Sequence, residues 1–319
     1  MKLRRYLALV FFLLLVQCTH TKWQAVHHTK HPLVGKILDT QTGNFVDFTK
    51  FEAFVVEKKP NVIFLGEVHN HPDHHMFHLK ILKSLFQNNL LGTLFLEHFN
   101  LDQNADLKKA LSSPDPFNDF DKKLKWGKGW DAFSFYEPML RLAWQSHQEI
   151  KGVNLSRKDL KNLVNKRDPM PISASEYKNL LELPSITPLL KNNLAEEIVR
   201  SHCHMFGKEH AEPIVKAQVL RDKVMTISLL KGLAPEKISV FIGGNGHMVK
   251  DRGVPFYLKG SMASLKVVSV AFFPVNPEQK DKSIYLKQPY DFIFFTPVFD
   301  PTDPCEKYKK HLQKMQIKH

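Results

Sequence analysis

Asn61-Val62-Ile63-Phe64-Leu65-Gly66-Glu67-Val68-His69-Asn70-His71-Pro72-Asp73-His74-His75 reads as a strand, a turn and the first residues of a helix. The apolar run 61–65 lacks the alternation of a half-solvated strand, which predicts burial on both faces and therefore a parallel sheet covered by helices. Gly66 permits a tight exit from the strand, and Pro72 with Asp73 suits the first turn of a helix over 73–87. In an open α/β sheet this junction is where ligands bind, because side chains and free helix amides converge there. A carboxylate and an imidazole on such a turn, Glu67 and His69, point to function rather than packing.

Working outward, the same design recurs. Runs at 92–97, 150–155, 238–243, 266–273 and 292–295 read as further buried strands, alternating with helical patterns at 136–148 and 214–231. The fold class is α/β, a mostly parallel central sheet flanked by helices. The stretch 156–213 breaks the rhythm: it is charged, punctuated by proline and helical in propensity, so it reads as an inserted helical cap over the sheet's carboxyl edge. The domain is expected to span 31–300, followed by a basic tail, 301–319.

Val240-Phe241-Ile242-Gly243-Gly244-Asn245-Gly246-His247 repeats the strand, glycine turn and histidine. Glu97 ends a third strand. If the three strand ends are neighbours, Glu67, His69, Glu97 and His247 share one crevice, where Glu67 or Glu97 can act as general base and His69 and His247 as metal ligands or proton carriers in a hydrolysis. On the helix that follows the first turn, His71 and His75, or His74 and His78, are four residues apart and can present two imidazoles to a metal; packing of His75 and His78 in the core explains them equally well.

The chain has 319 residues, 43% hydrophobic, and a formal charge of +13 from 45 Lys and Arg against 32 Asp and Glu. This is a folded, globular composition, and its basicity suits anionic lipid or an acidic small ligand; nothing in it resembles a nucleic-acid footprint. The 17 histidines cluster, which favours metal or haem chemistry. At the start, Lys2, Arg4 and Arg5 precede an apolar run over 7–16 of signal-peptide length. With Cys18 closing it, the segment resembles a bacterial lipoprotein signal, with Cys18 lipidated; a cleaved secretory signal before an ordinary cysteine is the alternative. Residues 19–30 then read as a tether. In an oxidising compartment Cys203 and Cys305 are free to pair.

Taken in order, Gly66-Glu67-Val68-His69 with His74-His75, Leu96-Glu97, Tyr136-Glu137-Pro138, Gly152-Val153-Asn154-Leu155, Gln218 with Arg221-Asp222, and Gly244-Asn245-Gly246-His247 resemble the ChaN-type haem-binding lipoproteins. These belong to the Tiki superfamily, related to erythromycin esterase-like and TraB-like proteins, and the resemblance runs from about Gly35 to Pro297. Asn70-His71 stands where the family commonly has Asp-Asn. The resemblance implies an exported, membrane-anchored protein, in a bacterial outer membrane, that holds haem between two subunits, with a tyrosine on iron and histidine or lysine on the propionates. A tyrosinate is a hard donor suited to ferric iron; the candidates are Tyr136, Tyr177 and Tyr257, with Tyr177 favoured because it lies in the cap. His202, His204, Lys208 and His210 supply a basic, metal-capable cluster in the same segment. Tyr136 has a plainer reading, a ring packed at a helix start with its hydroxyl on a strand end. The alternative function is a metal-dependent hydrolase using Glu67, His69, Glu97 and His247.

Overall fold

A computed structural model describes residues 22–124, 126, 130, 133–303, 305–307 and 309. Its centre is an eight-stranded sheet in the order β2-β1-β8-β7-β3-β6-β4-β5. The strands are Ile37–Asp39 (β1), Phe45–Val46 (β2), Val62–Glu67 (β3), Leu91–Asn100 (β4), Ile150–Asn154 (β5), Ile238–Gly244 (β6), Val267–Pro274 (β7) and Phe292–Thr296 (β8). From β8 to β5 all pairings are parallel. Only β1 and β2, a short hairpin on the β8 edge, run antiparallel; their two or three residues are too short to carry a readable pattern. The helices are Phe48–Lys58 (α1), Pro72–Gln87 (α2), Asn104–Leu111 (α3), Phe120–Lys123 (α4), Glu137–Gln145 (α5), Arg157–Asn165 (α6), Ala174–Glu182 (α7), Pro188–Ser201 (α8), Glu212–Gly232 (α9) and Val254–Ser261 (α10).

Every residue of β3 is buried, as its unbroken apolar run requires. Ile63 and Leu65 face a core built with α1, α2 and α5, and Val62 and Phe64 face the opposite core with Met225 and Leu229 of α9 and Leu258 of α10. Each fully buried side chain of this size is worth roughly 1.5–3 kcal/mol of transfer free energy. α1 starts at Asp47, whose carboxylate accepts from the Lys50 amide.

The segment 156–213 is helical, α6 to α8, with no strand among its described residues. Leu163 and Leu180 pack with Val224 and Ile227 of α9 and with Tyr257, so α9 serves both the sheet and the cap. A disulfide joins Cys203, at the end of α8, to Cys305, stitching the cap to the start of the basic tail. The stretch read as a tether lies on the domain from Trp23: the Gln24 and Ala25 amides donate to Asp73 at 2.8 and 3.0 Å, Trp23 packs on Phe77, and His27 pairs with Val298. Among the described residues packing therefore begins at Trp23 rather than His31, because the buried Asp73 carboxylate needs donors and finds them in that backbone. The signal segment and Cys18 lie outside the described residues. Among the described residues no helix is long and apolar enough to cross a membrane.

Candidate functional site

Registry brings the strand ends together. Glu67 of β3 lies opposite Gly244 of β6, and Leu96 of β4 opposite Ile242, so Glu97, the turn at 244–247 and Glu67 meet at the carboxyl edge of three adjacent strands. Gly66 has room for no side chain: a Cβ there would fall 2.2 Å from Oδ1 of Asn245. Asn245 in turn clips β7, donating to Phe272 O at 2.8 Å and accepting from its amide at 3.2 Å.

Two linked carboxylate centres result. In the first, Glu67 is fully buried. Its Oε1 accepts from the Tyr136 hydroxyl at 2.7 Å and from Nδ1 of His69 at 2.8 Å, and Nε2 of His98 lies 3.0 Å away. Burial pushes the Glu67 carboxyl up, but the imidazoles of His75 and His98 and the His69 hydrogen bond outweigh it, holding the group well below the usual carboxylate range. The His98 ring stacks on Trp126 and packs against Trp130 and Tyr136. His69 is the opening of this centre to solvent, its side chain 33% exposed. Burial opposes its charge, and the Glu67 hydrogen bond with the field of Glu97 raises its pKa.

In the second, His247 is held between two carboxylates. Nδ1 bonds Asp222 of α9, with Gln218 Nε2 3.0 Å from the same atom, and Nε2 lies 3.3 Å from Glu97 Oε1. The other Glu97 oxygen accepts the Gly244 amide at 2.7 Å. Burial disfavours the imidazolium, yet Glu97 and Asp222 raise its pKa to about 10. The two acids share that one cation unequally: the Glu97 carboxyl is depressed, whereas burial leaves Asp222 above its ordinary value. A histidine so pinned is a positive charge at neutral pH and a poor proton acceptor.

The four strand-end residues thus lie in one crevice, along with groups not foreseen there. His75 and His78 of α2 turn Nδ1 toward Glu67 Oε2, at 3.4 and 3.5 Å. Of the two readings, four-residue pairs on a metal or core packing, neither four-residue pair forms among the described residues. His71 is the cap of α2, with extended backbone; it stacks flat on His74 at 4.0 Å, and those two bond Pro297 O, Thr296 and the Val68 amide instead. Asp222 and Gln218 stand in the sequence as polar breaks in an apolar helix face and as one of the motifs of the family resemblance, but nothing there places them on His247.

Of the tyrosines considered for iron, Tyr136 is wholly buried and committed to Glu67, and the Tyr257 hydroxyl is sealed in the interior with no hydrogen-bond partner among the described residues. Tyr177, on α7, is half-buried against the cap core; one turn on, Leu181 is 64% exposed. His202, His204 and Lys208 follow the carboxyl end of α8. His202 Nδ1 bonds Ile198 O at 2.7 Å, His204 is exposed with φ 54°, and Lys208 pairs with Glu196 at 2.6 Å. His210 contacts Glu209.

Among curated proteins none matches the chain. Among solved structures, ChaN of Campylobacter jejuni, described with cofacial haem binding, is 25% identical, with 81% of this chain and 95% of that chain covered and a TM-score of 0.63. A mutant of the erythromycin esterase EreC in its open conformation is 11% identical, covering 76% and 77%, with a TM-score of 0.40. The type III effector HopBA1 is 14% identical, covering 74% and 88%, with a TM-score of 0.37. At such TM-scores neither of the last two bears on what this chain does. Residues 56–258 match the family described as haem-binding uptake, Tiki superfamily, ChaN, well over half of the sequence, and the protein belongs to that family.

Proposed function

We propose that this protein binds haem, in uptake or storage, at a face of the helical cap centred on Tyr177, and that two subunits close over the ligand. The observation that carries the reading is the family match over 56–258, with the cofacial haem named for the Campylobacter jejuni relative. The residues present fit the group. Tyr177 is partly solvent-exposed and has the exposed Leu181 beside it for an apolar macrocycle, whereas Tyr136 and Tyr257 are withdrawn into the interior. Haem supplies a ferric centre for a tyrosinate oxygen. Tyr177 would provide that donor, and His202, His204 and Lys208 the basic groups of the same cap for carboxylates. Export fits the charged start and apolar run before Cys18, whose lipidation would anchor the chain to the outer membrane, and the Cys203–Cys305 bridge suits an oxidising compartment.

Titration of the purified chain with ferric haem, followed by absorbance and sedimentation, tests this. Saturable binding with a sharpened Soret band and a shift from monomer to dimer is expected, and Tyr177→Phe should weaken the band while leaving the fold intact. An unchanged spectrum in Tyr177→Phe would refute the ligand assignment.

Metal-assisted hydrolysis is the second reading. It is favoured by the partly exposed His69 hydrogen-bonded to the buried Glu67, an arrangement able to hold a water at the crevice mouth. The charged state of His247 restricts that residue to electrostatic stabilisation.

A further inference from the structure

Beneath the crevice, three buried polar atoms face one another. Glu67 Oε2, His75 Nδ1 and His78 Nδ1 each lack a hydrogen-bond partner among the described residues, although Glu67, His75 and His78 are respectively 3%, 3% and 0% exposed. The opposite nitrogen of each ring is fixed: His75 Nε2 contacts His69 O at 2.8 Å and His78 Nε2 contacts Gly66 O at 3.0 Å. A backbone carbonyl only accepts, so both Nε2 atoms carry the hydrogen, and in the neutral ring Nδ1 is left with a bare lone pair. Two lone pairs and a carboxylate oxygen therefore converge in the interior, an arrangement that costs free energy without a positive charge among them. In the metal-free protein a proton on His75 Nδ1 answers part of that cost, but it leaves His78 Nδ1 bare, and making both rings imidazolium would set two cations on one carboxylate that already serves Tyr136, His69 and His98.

The geometry points to a divalent metal ion held by Glu67 Oε2, His75 Nδ1 and His78 Nδ1. The separations from Oε2, 3.4 and 3.5 Å, equal the ligand-to-ligand edge of about 3.3–3.5 Å that a tetrahedral ion imposes when its bonds are about 2.0–2.2 Å. All three ligand atoms lie within 4.8 Å of one another. Nitrogen and oxygen donors of this kind suit Zn²⁺ or a neighbouring first-row ion. The carbonyl contacts supply what metal-bound histidines ordinarily have, a partner that fixes tautomer and ring orientation. Both carbonyls belong to the exit from β3, so the ion ties α2 to the turn carrying His69. This site is separate from the cap face proposed for haem, and from the Glu97–His247–Asp222 cluster.

The test uses the full chain, haem-free, untagged and stripped with EDTA, titrated with Co²⁺ and then with competing Zn²⁺. One Co²⁺ per chain with the visible ligand-field bands of a tetrahedral ion, displaced by Zn²⁺, and a rise in Tm with Zn²⁺ are expected. His78→Gln should lower the affinity by more than the roughly 10–100-fold that loss of an outer-shell partner costs. His71→Gln, a buried histidine of the same segment that faces Pro297, should keep full stoichiometry. Wild-type protein showing neither bands nor a Zn²⁺-dependent Tm shift overturns the proposal, whether or not His78→Gln folds. Wild-type-like binding by His78→Gln overturns it as well, and so does binding lost in His247→Asn but kept in His78→Gln.

Discussion

Glu97→Gln isolates one arm of the charge cluster at the crevice. The substitution keeps the size of the side chain and an oxygen for the Gly244 amide, while removing the carboxylate 3.3 Å from the His247 imidazolium. Breaking a buried ion pair costs about 3–5 kcal/mol when one charge is stranded. Here Asp222 still partners His247, so the loss at pH 7 should fall at the lower end, about 3 kcal/mol. At roughly 2–4 °C per kcal/mol for a large domain, Tm should drop by roughly 6–12 °C.

The pH dependence is the sharper signature. The pKa of Glu97 is depressed on folding, so its contribution is present above the unfolded carboxyl value and is lost as pH falls. His247 is raised to about 10, so its share is complete below the unfolded value of about 6.5 and fades as pH climbs toward 10. The gap in Tm between wild type and Glu97→Gln should therefore be widest from about pH 5 to pH 7 and narrow on both sides, read by thermal unfolding across pH 4–10. A gap that stays constant with pH, or a variant as stable as wild type at pH 7, would refute the account of a buried carboxylate holding His247 charged.

Gly66→Ala places a Cβ against Asn245 and should cost about 1–3 kcal/mol as overpacking, measured by chemical denaturation, because Asn245 cannot yield without releasing Phe272 of β7. Cys18→Ser should release the protein from membranes into the soluble fraction; a variant still membrane-bound after carbonate washing would remove the lipid anchor.

The six long strands were legible because burial on both faces demands unbroken apolar runs, and the glycine turns announced where those strands end. The edge hairpin Ile37–Asp39 and Phe45–Val46 was not, since two or three residues carry no period. α1 was also missed, though Asp47 caps it. Glu67, His69, Glu97 and His247 could be placed together because parallel registry makes strand ends neighbours. Their partners could not. Asp222 reaches His247 from a helix that begins in the cap region, and only tertiary packing decides that α9 turns that carboxylate inward. The histidines of α2 show a failure of a spacing rule: pairing His71 with His75 presumes that His71 is helical, whereas it is the extended cap, and the His74 ring turns to Thr296 and the Val68 amide instead of joining His78, which leaves His75 and His78, three apart, to face Glu67.

The sheet order has a consequence for how the chain reaches this state. β3 is central, yet neither neighbour is close to it in sequence: β6 begins at Ile238 and β7 at Val267. A chain emerging amino-terminus first therefore carries the apolar segment 62–67 with both edges unpaired until nearly all of the domain has been made. Pairings so distant close slowly, and an unpaired apolar strand is prone to aggregation while it waits. Until β6 and β7 arrive, the glutamate and histidine that define the crevice sit at the end of a strand with no sheet to belong to, so a truncated product ending before Ile238 should be a substrate for chaperones and proteases rather than a partial binder.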